Sequence, residues 1–395
     1  MINKSKTNLE NMILIIYFII LCLEVFFYSM LSFAVSLEKI SNTLILFLLI
    51  IALITQKHTR IQWILFIVGS LICVFSFYFT HTNLDFLYMI IVAFSMSSIN
   101  PKKILKGSII TVTVSLVIIV LLSFLNVIPN LIFFRDNIMR QSLGTIYPLA
   151  FAGFIFYICA ALMFIAQKNR KYLLWQILGL VCASAFVFKV NGARNNSINI
   201  LLLIIAILMQ WLPTKINKVV SSISIFVVCI LTFTSIFVSN YIPYTSNVYM
   251  TLNSLLSGRL QLQYSVSQFY QPKLWGQYIP QIGAGRNLLS SYNYFYIDNS
   301  YMRLLYMGGI LIYIFFTVVV ALLLYRMIKN RLYLQIYVLL IILLSGISED
   351  ALVNLNINIF IPLIFTGSLM LRNSFIDKNL QSDYIKDDIY QEKRM

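Results

Sequence analysis

Apolar runs of membrane length alternate along this chain with short polar breaks. A helix crossing a bilayer needs about 20 mainly apolar residues. Twelve runs fit that length: 12–33, 40–55, 61–79, 84–99, 105–127, 148–166, 173–190, 198–212, 219–239, 301–325, 332–347 and 357–371. Several are short, which predicts tilted or partly re-entrant segments. The breaks between them are unequal in charge. Twenty of the 29 Lys and Arg fall in seven breaks, starting with Lys4 and Lys6 and ending with Arg372, Lys378, Lys386, Lys393 and Arg394. The other nine fall in the alternate breaks. Cytoplasmic loops carry such an excess, so the alternation assigns a side to every loop and places both termini in the cytoplasm. A misplaced span would invert every later loop, yet the pattern persists to the end.

Composition agrees with the pattern. The chain is 60% hydrophobic and 11% charged, with mean hydropathy +0.87. A soluble domain has roughly 25% charged residues, so lipid must solvate most of this surface. The net charge of +16 is dealt out loop by loop instead of gathered on one domain, which excludes nucleic-acid recognition as its explanation. All five cysteines lie inside apolar runs and read as small core or lipid-facing residues. His58 and His81 fall on opposite sides of the predicted membrane, so no metal site is expected. The first apolar run is too long for the core of a signal peptide and lacks a small-x-small cleavage site. It reads as a retained first span.

The expected fold is therefore all-α: one polytopic domain over residues 1–371, with a large outer loop at 240–300 and a solvated cytoplasmic tail at 372–395. A second outer loop, 128–147, carries Arg135, Asp136 and Arg140. The large loop holds Pro243, Pro272 and Pro280 and an aromatic stretch, "SSYNYFYIDNSY". Its tyrosines and Trp275 read either as an interfacial belt or as a platform for sugar rings.

The outer arginines stand where the charge bias leaves few, and they are the first candidates for chemistry. Arg259 lies in "LLSGRLQLQYSVSQFYQPKLWGQ". A continuous helix over 252–270 would place it mid-face among apolar residues. Alternatively, Ser257 caps a helix starting at Gly258, and Arg259 falls in a first turn whose free N–H groups favour anions. Both versions fix a cation where a phosphate could sit; the competing reading is an arginine snorkelling to lipid headgroups. Arg194 lies in the tight turn "KVNGARNNS", which is too short to leave the membrane face. Arg140 lies in "RQSLGTIYP", just before a span opening on Pro148. Asp298 is the last acid before the tenth span, followed by Asn299, Tyr301 and Arg303. It is a candidate general base, and also a candidate helix cap. Glu349 and Asp350 form a second acidic pair, which capping of a short re-entrant helix would also explain. Glu24 stands midway through the first span, where an acid is costly and a functional candidate by default.

These motifs carry a resemblance. "RQSLGTIYP", "NGARNNS", "LSGRLQLQY…LWGQ" and "IDNSYMRLLYMGG", in this order, resemble the Wzy-type polysaccharide polymerases, relatives of the O-antigen ligases. The likeness covers the chain end to end. Two departures stand out: the ligase branch usually has His where Asp298 stands, and the usual Thr-Ser before Arg194 is absent. The resemblance implies a GT-C-like glycosyltransferase of the cell membrane, with its active site on the extracytoplasmic face. Such an enzyme joins oligosaccharide repeat units carried on undecaprenyl diphosphate and works with membrane lipid, a flippase and a chain-length regulator. It implies Arg194 and Arg259 on the donor diphosphate, Asp298 as base with Glu349 the alternative, and Arg140, Arg286, Arg303, Glu349 and Tyr301 as substrate-binding groups. No cofactor, metal or nucleic acid is expected. Arginine suits a diphosphate because its fork binds phosphate oxygens two at a time. Two other readings stay open: a lipid-linked oligosaccharide flippase or exporter, which Glu24 would suit, and a ligase-type glycan transferase.

Overall fold

The computed structural model describes residues 2–82, 84–135, 138–256, 258–283 and 295–375. It is mostly helical, at 74%. The elements in chain order are α1 (Ile2–Phe27), α2 (Ala34–Thr55), α3 (Arg60–Thr80), α4 (Leu84–Met96), α5 (Pro101–Phe124), the hairpin β1 (Ile132–Arg135) and β2 (Ile138–Gln141), α6 (Pro148–Ile165), α7 (Arg170–Asn191), α8 (Arg194–Met209), α9 (Thr214–Tyr241), α10 (Asn247–Leu255), α11 (Arg259–Phe269), α12 (Ser300–Met302), α13 (Ile310–Lys329), α14 (Tyr333–Ser345) and α15 (Ser368–Phe375).

Among the described residues, eight helices are long and apolar enough to cross a membrane: α1, α2, α3, α5, α6, α7, α9 and α13. The apolar helices α4, α8 and α14 are shorter, at 13, 16 and 13 residues. At 1.5 Å per residue these reach roughly 20–24 Å, less than the hydrocarbon core. Burial sorts the helices. In α6, 72% of the apolar window is buried, against 17% in α7 and 28% in α3, so α6 is central and the others peripheral. The peripheral faces stay apolar: Ile64, Ile67, Leu71, Val74 and Phe75 are exposed along α3. A contiguous apolar face of that extent is untenable in water, and with the long apolar helices it makes this a membrane-embedded protein.

Helix starts follow ordinary capping chemistry. Thr59 and Gln62 form a reciprocal capping box before α3, Asn100 accepts from Lys102 N before Pro101, and Asn169 accepts from Lys171 N before α7. Each satisfies N–H groups that the first turn leaves open.

The predicted twelfth span, 357–371, is not one helix. After α14 the chain makes a 3-10 turn at Asp350–Val353, runs irregularly, makes another at Ile361–Leu363 and only then enters α15. This stretch connects opposite ends of the bundle, from Glu349 beside the long loop to Ser368 beside Asn330. Irregular backbone at membrane depth is tolerated only where protein groups satisfy it, and here they do. Asn358 Nδ2 donates to Leu352 O at 2.8 Å, Gln62 Nε2 to Phe365 O at 3.3 Å, and Arg326 Nη1 to Thr366 O at 3.0 Å. Asn354 Nδ2 donates to Tyr28 Oη, and Asn356 Nδ2 to a carboxylate oxygen of Glu24, which also accepts from Ser41 Oγ. Glu24 is thus a buried clamp joining α1, α2 and the irregular segment.

The loop 128–147 is not featureless. Strands 132–135 and 138–141 pair antiparallel, with Phe133 facing Arg140. Two bonds tie this region to the end of α1: Met30 N to Gly144 O and Ile146 N to Tyr28 O, both 2.9 Å. The large loop docks through glycines. "LWGQ" lies against "MGG", with Gln277 N donating to Met307 O at 3.2 Å and Ile310 N to Lys273 O at 3.0 Å. A Cβ on Gly276 would come 2.1 Å from Met307 O, and one on Gly309 2.3 Å from Gly276 N. Both residues also have positive φ, 84° and 100°, so both requirements select glycine.

Candidate functional site

Three stretches of chain meet beside this docking point. The first is the start of α11. Gly258, at φ 83°, breaks the chain direction, and Arg259 is the first helical residue. This agrees with the first-turn alternative and not with one helix over 252–270; Ser257 lies outside the described residues. The second is the approach to α12. Asn299, not Asp298, is the cap: its Oδ1 accepts from Tyr301 N at 2.9 Å and Met302 N at 3.1 Å. That leaves the Asp298 carboxylate to reach Arg259. The third is the turn after α14, pinned by Ser300 N to Gly346 O at 2.9 Å and Ser300 Oγ to Glu349 O at 2.5 Å.

The charged groups interlock. Arg259 Nη1 donates to Glu349 Oε1 at 3.0 Å, and its Nε lies 3.4 Å from Asp298 Oδ2. Arg303 Nη2 lies 3.3 Å from Asp350 Oδ2, its Nε donates to Ile297 O at 2.8 Å, and its guanidinium stacks 4.6 Å above the Tyr296 ring. Tyr296 Oη donates to the same Asp350 Oδ2 at 2.7 Å. Beside them opens a cavity of about 200 Å³, lined by Asp298, Glu349 and Asp350 with Tyr28, Tyr147 and Tyr296. Burial pushes the Glu349 carboxyl up to about 7, against the opposing pull of Arg259. Burial also raises Asp298, again opposed by Arg259. A carboxyl that titrates near neutrality in a cavity suits proton transfer.

A second depression, about 480 Å³, lies where the hairpin meets the α7–α8 turn. Arg135, Arg140, Lys189 and Arg194 line it, over Ile138, Ala185 and Phe188. Arg140 is 4% exposed. Its Nε donates to Asn191 O at 2.9 Å, and Asn191 Nδ2 donates back to Gln141 O at 2.8 Å. Its Nη2 is buried with no hydrogen-bond partner among the described residues. Gly192, with φ 58°, ends α7 here, and a Cβ on it would strike Arg140 Cγ at 2.7 Å. The two depressions share one wall: the Arg140 guanidinium lies 5.6 Å from the ring centre of Tyr147, which lines the cavity.

The expected site residues thus divide. Arg259, Asp298, Glu349 and Arg303 come together around the cavity; Arg140 and Arg194 line the cleft. Arg194 lines the cleft, whereas Arg259, expected to grip the same diphosphate, is held by Glu349 and Asp298, two residues that line the cavity. Tyr301 is fully buried and donates to Leu343 O at 2.6 Å, so its hydroxyl holds α14 and does not face the cavity. Arg286 lies outside the described residues. Trp275 packs on Phe75 and Phe79 of α3, with ring centres at 5.1 and 6.0 Å, so it docks the loop. Sequence reasoning did not single out Tyr28, Tyr147 or Tyr296 for the cavity, nor Arg135 and Lys189 for the cleft. Their aromatic and interfacial character was visible, but their convergence depends on the hairpin and on the irregular segment.

No family model matches the chain, and neither the curated proteins nor the solved structures yield a match.

Proposed function

We propose that this protein is a polysaccharide polymerase that transfers a glycan from undecaprenyl diphosphate to a hydroxyl of the next lipid-linked repeat unit. In this reading the loop-bearing end faces the outside of the cell membrane, and the chain belongs with the Wzy-type enzymes that its motifs resemble. The observation that carries the reading is the adjacency of an acid-lined cavity and a cation-lined cleft at one end of a membrane-embedded bundle. The cavity supplies the base. A carboxylate, Glu349 or its partner Asp298, accepts the proton of the acceptor hydroxyl as that oxygen bonds to the anomeric carbon. The anomeric carbon–phosphate oxygen bond breaks, and the electron pair leaves on the diphosphate. Cations at this end stabilise that departing charge. Tyr28, Tyr147 and Tyr296 line the space where a sugar would lie.

A flippase would need charged or strongly polar groups lining a path across the bundle, whereas the charged side chains of the described helices sit near helix ends. The test is a chromosomal deletion complemented with variants, scored by glycan gels. Asp298→Asn, Glu349→Gln and Arg194→Ala should each lose the polymer ladder while single repeat units remain on lipid. Normal ladders from all three would remove the proposal, and repeat units trapped in the cytoplasm would replace it with the flippase reading.

A further inference from the structure

We infer that the cavity takes a single sugar ring that carries no acid group, and that Tyr28 binds this ring by donating a hydrogen bond from its hydroxyl. This rests on the reading of the cavity as the place of the acceptor sugar. It adds the charge class of the ring and the residue that holds it.

The directions of the hydrogen bonds around Tyr28 carry the inference. Asn354 Oδ1 accepts from Asn356 N at 3.0 Å, which fixes which way round the side-chain amide sits. Its Nδ2 therefore faces Tyr28 and donates to Oη. A phenol oxygen that accepts still has its own hydrogen to give. Among the described residues the bond from Asn354 is the one hydrogen bond of this hydroxyl, so that hydrogen is left over. Burial, with Asp350 adding to it, raises the phenol above its ordinary range, so the hydrogen stays on at neutral pH. Tyr28 lines the cavity, where a ligand oxygen can accept it. The residue is also held in place. Its ring meets Phe154 edge-on at 6.3 Å, and its carbonyl accepts from Ile146 N at 2.9 Å. A donor fixed before the ligand arrives loses little freedom on binding.

Size and charge define the ligand. At about 200 Å³ the cavity is below the roughly 300–1,000 Å³ of pockets for drug-sized molecules, so it takes one ring and not a whole repeat unit. Its described lining presents the carboxyl groups of Asp298, Glu349 and Asp350 and no cation. Arg259 and Arg303 reach those carboxylates at 3.0–3.4 Å and are not among the described lining residues. Carboxylate oxygens accept from sugar hydroxyls, and Tyr28 donates to a sugar oxygen. A further carboxylate carried in on the ring would meet like charge out of water, which opposes binding. The same wall that accepts a neutral ring therefore rejects a uronic acid.

The test uses the full chain in nanodiscs. The probes are the methyl glycosides of glucose, galactose and mannose, each against its uronic acid, titrated by saturation-transfer NMR. A neutral glycoside should bind, and its uronic acid about tenfold or more weakly. Tyr28→Phe keeps the ring and removes the hydroxyl, and it should weaken the neutral glycoside roughly three- to tenfold. Asp350→Asn removes one charge from the wall and should narrow the gap between the two probes. A 3-fluorotyrosine placed at position 28 of the otherwise native chain gives a readout that a merely structural role would not move. Its fluorine signal should shift with the neutral glycoside and stay put with the uronic acid. A uronic acid that binds as tightly as its neutral partner, or an unchanged gap in Asp350→Asn, overturns the charge class. Unchanged affinity in Tyr28→Phe, or a fluorine signal indifferent to the glycoside, overturns the role of Tyr28. Binding by none of the probes overturns both. Binding needs no turnover, so these outcomes are separate from the polymer ladder. A normal ladder in the variants above removes the polymerase reading and leaves the sugar cavity, whereas a lost ladder without glycoside binding removes this inference alone.

Discussion

The cavity and the cleft lie at the same end of the bundle and share the Arg140–Tyr147 contact, yet they are built on opposite principles. In the cavity every charge has a partner, and the arginines are fixed by the acids they face. In the cleft like charges are brought together, and a buried arginine is left with an open donor. The first arrangement is closed on itself; the second leaves the Arg140 Nη2 donor open among the described residues. Most of the cavity's charged groups come from segments distant in sequence, Arg259, Asp298 to Arg303 and Glu349 to Asp350. The cleft comes from two neighbouring turns.

The largest effect that would sharpen this contrast is loss of a carboxylate from the cavity. Glu349→Ala leaves Arg259 buried with Asp298 as its one carboxylate in the described network, and breaking a buried pair costs about 3–5 kcal/mol. A corresponding fall in thermal stability in detergent is expected, whereas Arg194→Ala, at an exposed cleft position, should hardly change it. Equal falls would mean the cleft is as interlocked as the cavity. Next comes the glycine contact. Gly309→Ala places a methyl in the backbone of Gly276 and strains a positive φ, together costing roughly 1–3 kcal/mol or more. It should disturb Arg303 and the cavity, as a lowered melting temperature in detergent would show.

Acidity gives a third contrast. Burial raises Glu349 from its ordinary 4.5 to about 7, so the native state holds a proton that the unfolded state has lost between those values. Stability from this group is present below about 4.5 and falls as pH rises to about 7. Transfer requires the deprotonated base, so the rate should rise over the same window, approaching tenfold per pH unit at its low end. Opposite slopes in wild type, both flattened in Glu349→Gln, are the expected result; parallel slopes would exclude Glu349 as the base. The smallest effect belongs to the shared wall. Tyr147→Leu removes a cation–π contact worth about 0.5–1 kcal/mol and should weaken the coupling between the depressions only slightly, measurable by a double-mutant cycle with Arg140→Gln.

Much of this was legible in the sequence because it depends on local chemistry. The apolar runs become helices, Arg259 falls in a first turn, and an Asn–Asp pair before the tenth run opens a helix. The glycines of "LWGQ" and "MGG" are visible as motifs, though only the fold reveals that they touch. The rest was hidden for physical reasons. Apolar composition does not distinguish a helix from an irregular strand of backbone, and so 357–371 read as a span. The cue that could have warned is the asparagine run Asn354, Asn356 and Asn358, which leads into this stretch and is too polar for the start of a lipid-facing helix. The paired strands 132–135 and 138–141 escaped because no glycine pair stands between them in the sequence. The separation of Arg194 from Arg259 could not be read at all, since both satisfy the same local description.

The irregular segment has a consequence for how the chain is assembled. A transmembrane helix satisfies its own backbone and can enter lipid alone, but residues 354–366 cannot. Their partners Glu24, Gln62 and Arg326 all lie earlier in the chain, so during synthesis the receptors exist before the segment emerges. The irregular segment can therefore settle onto groups that are already made when it emerges.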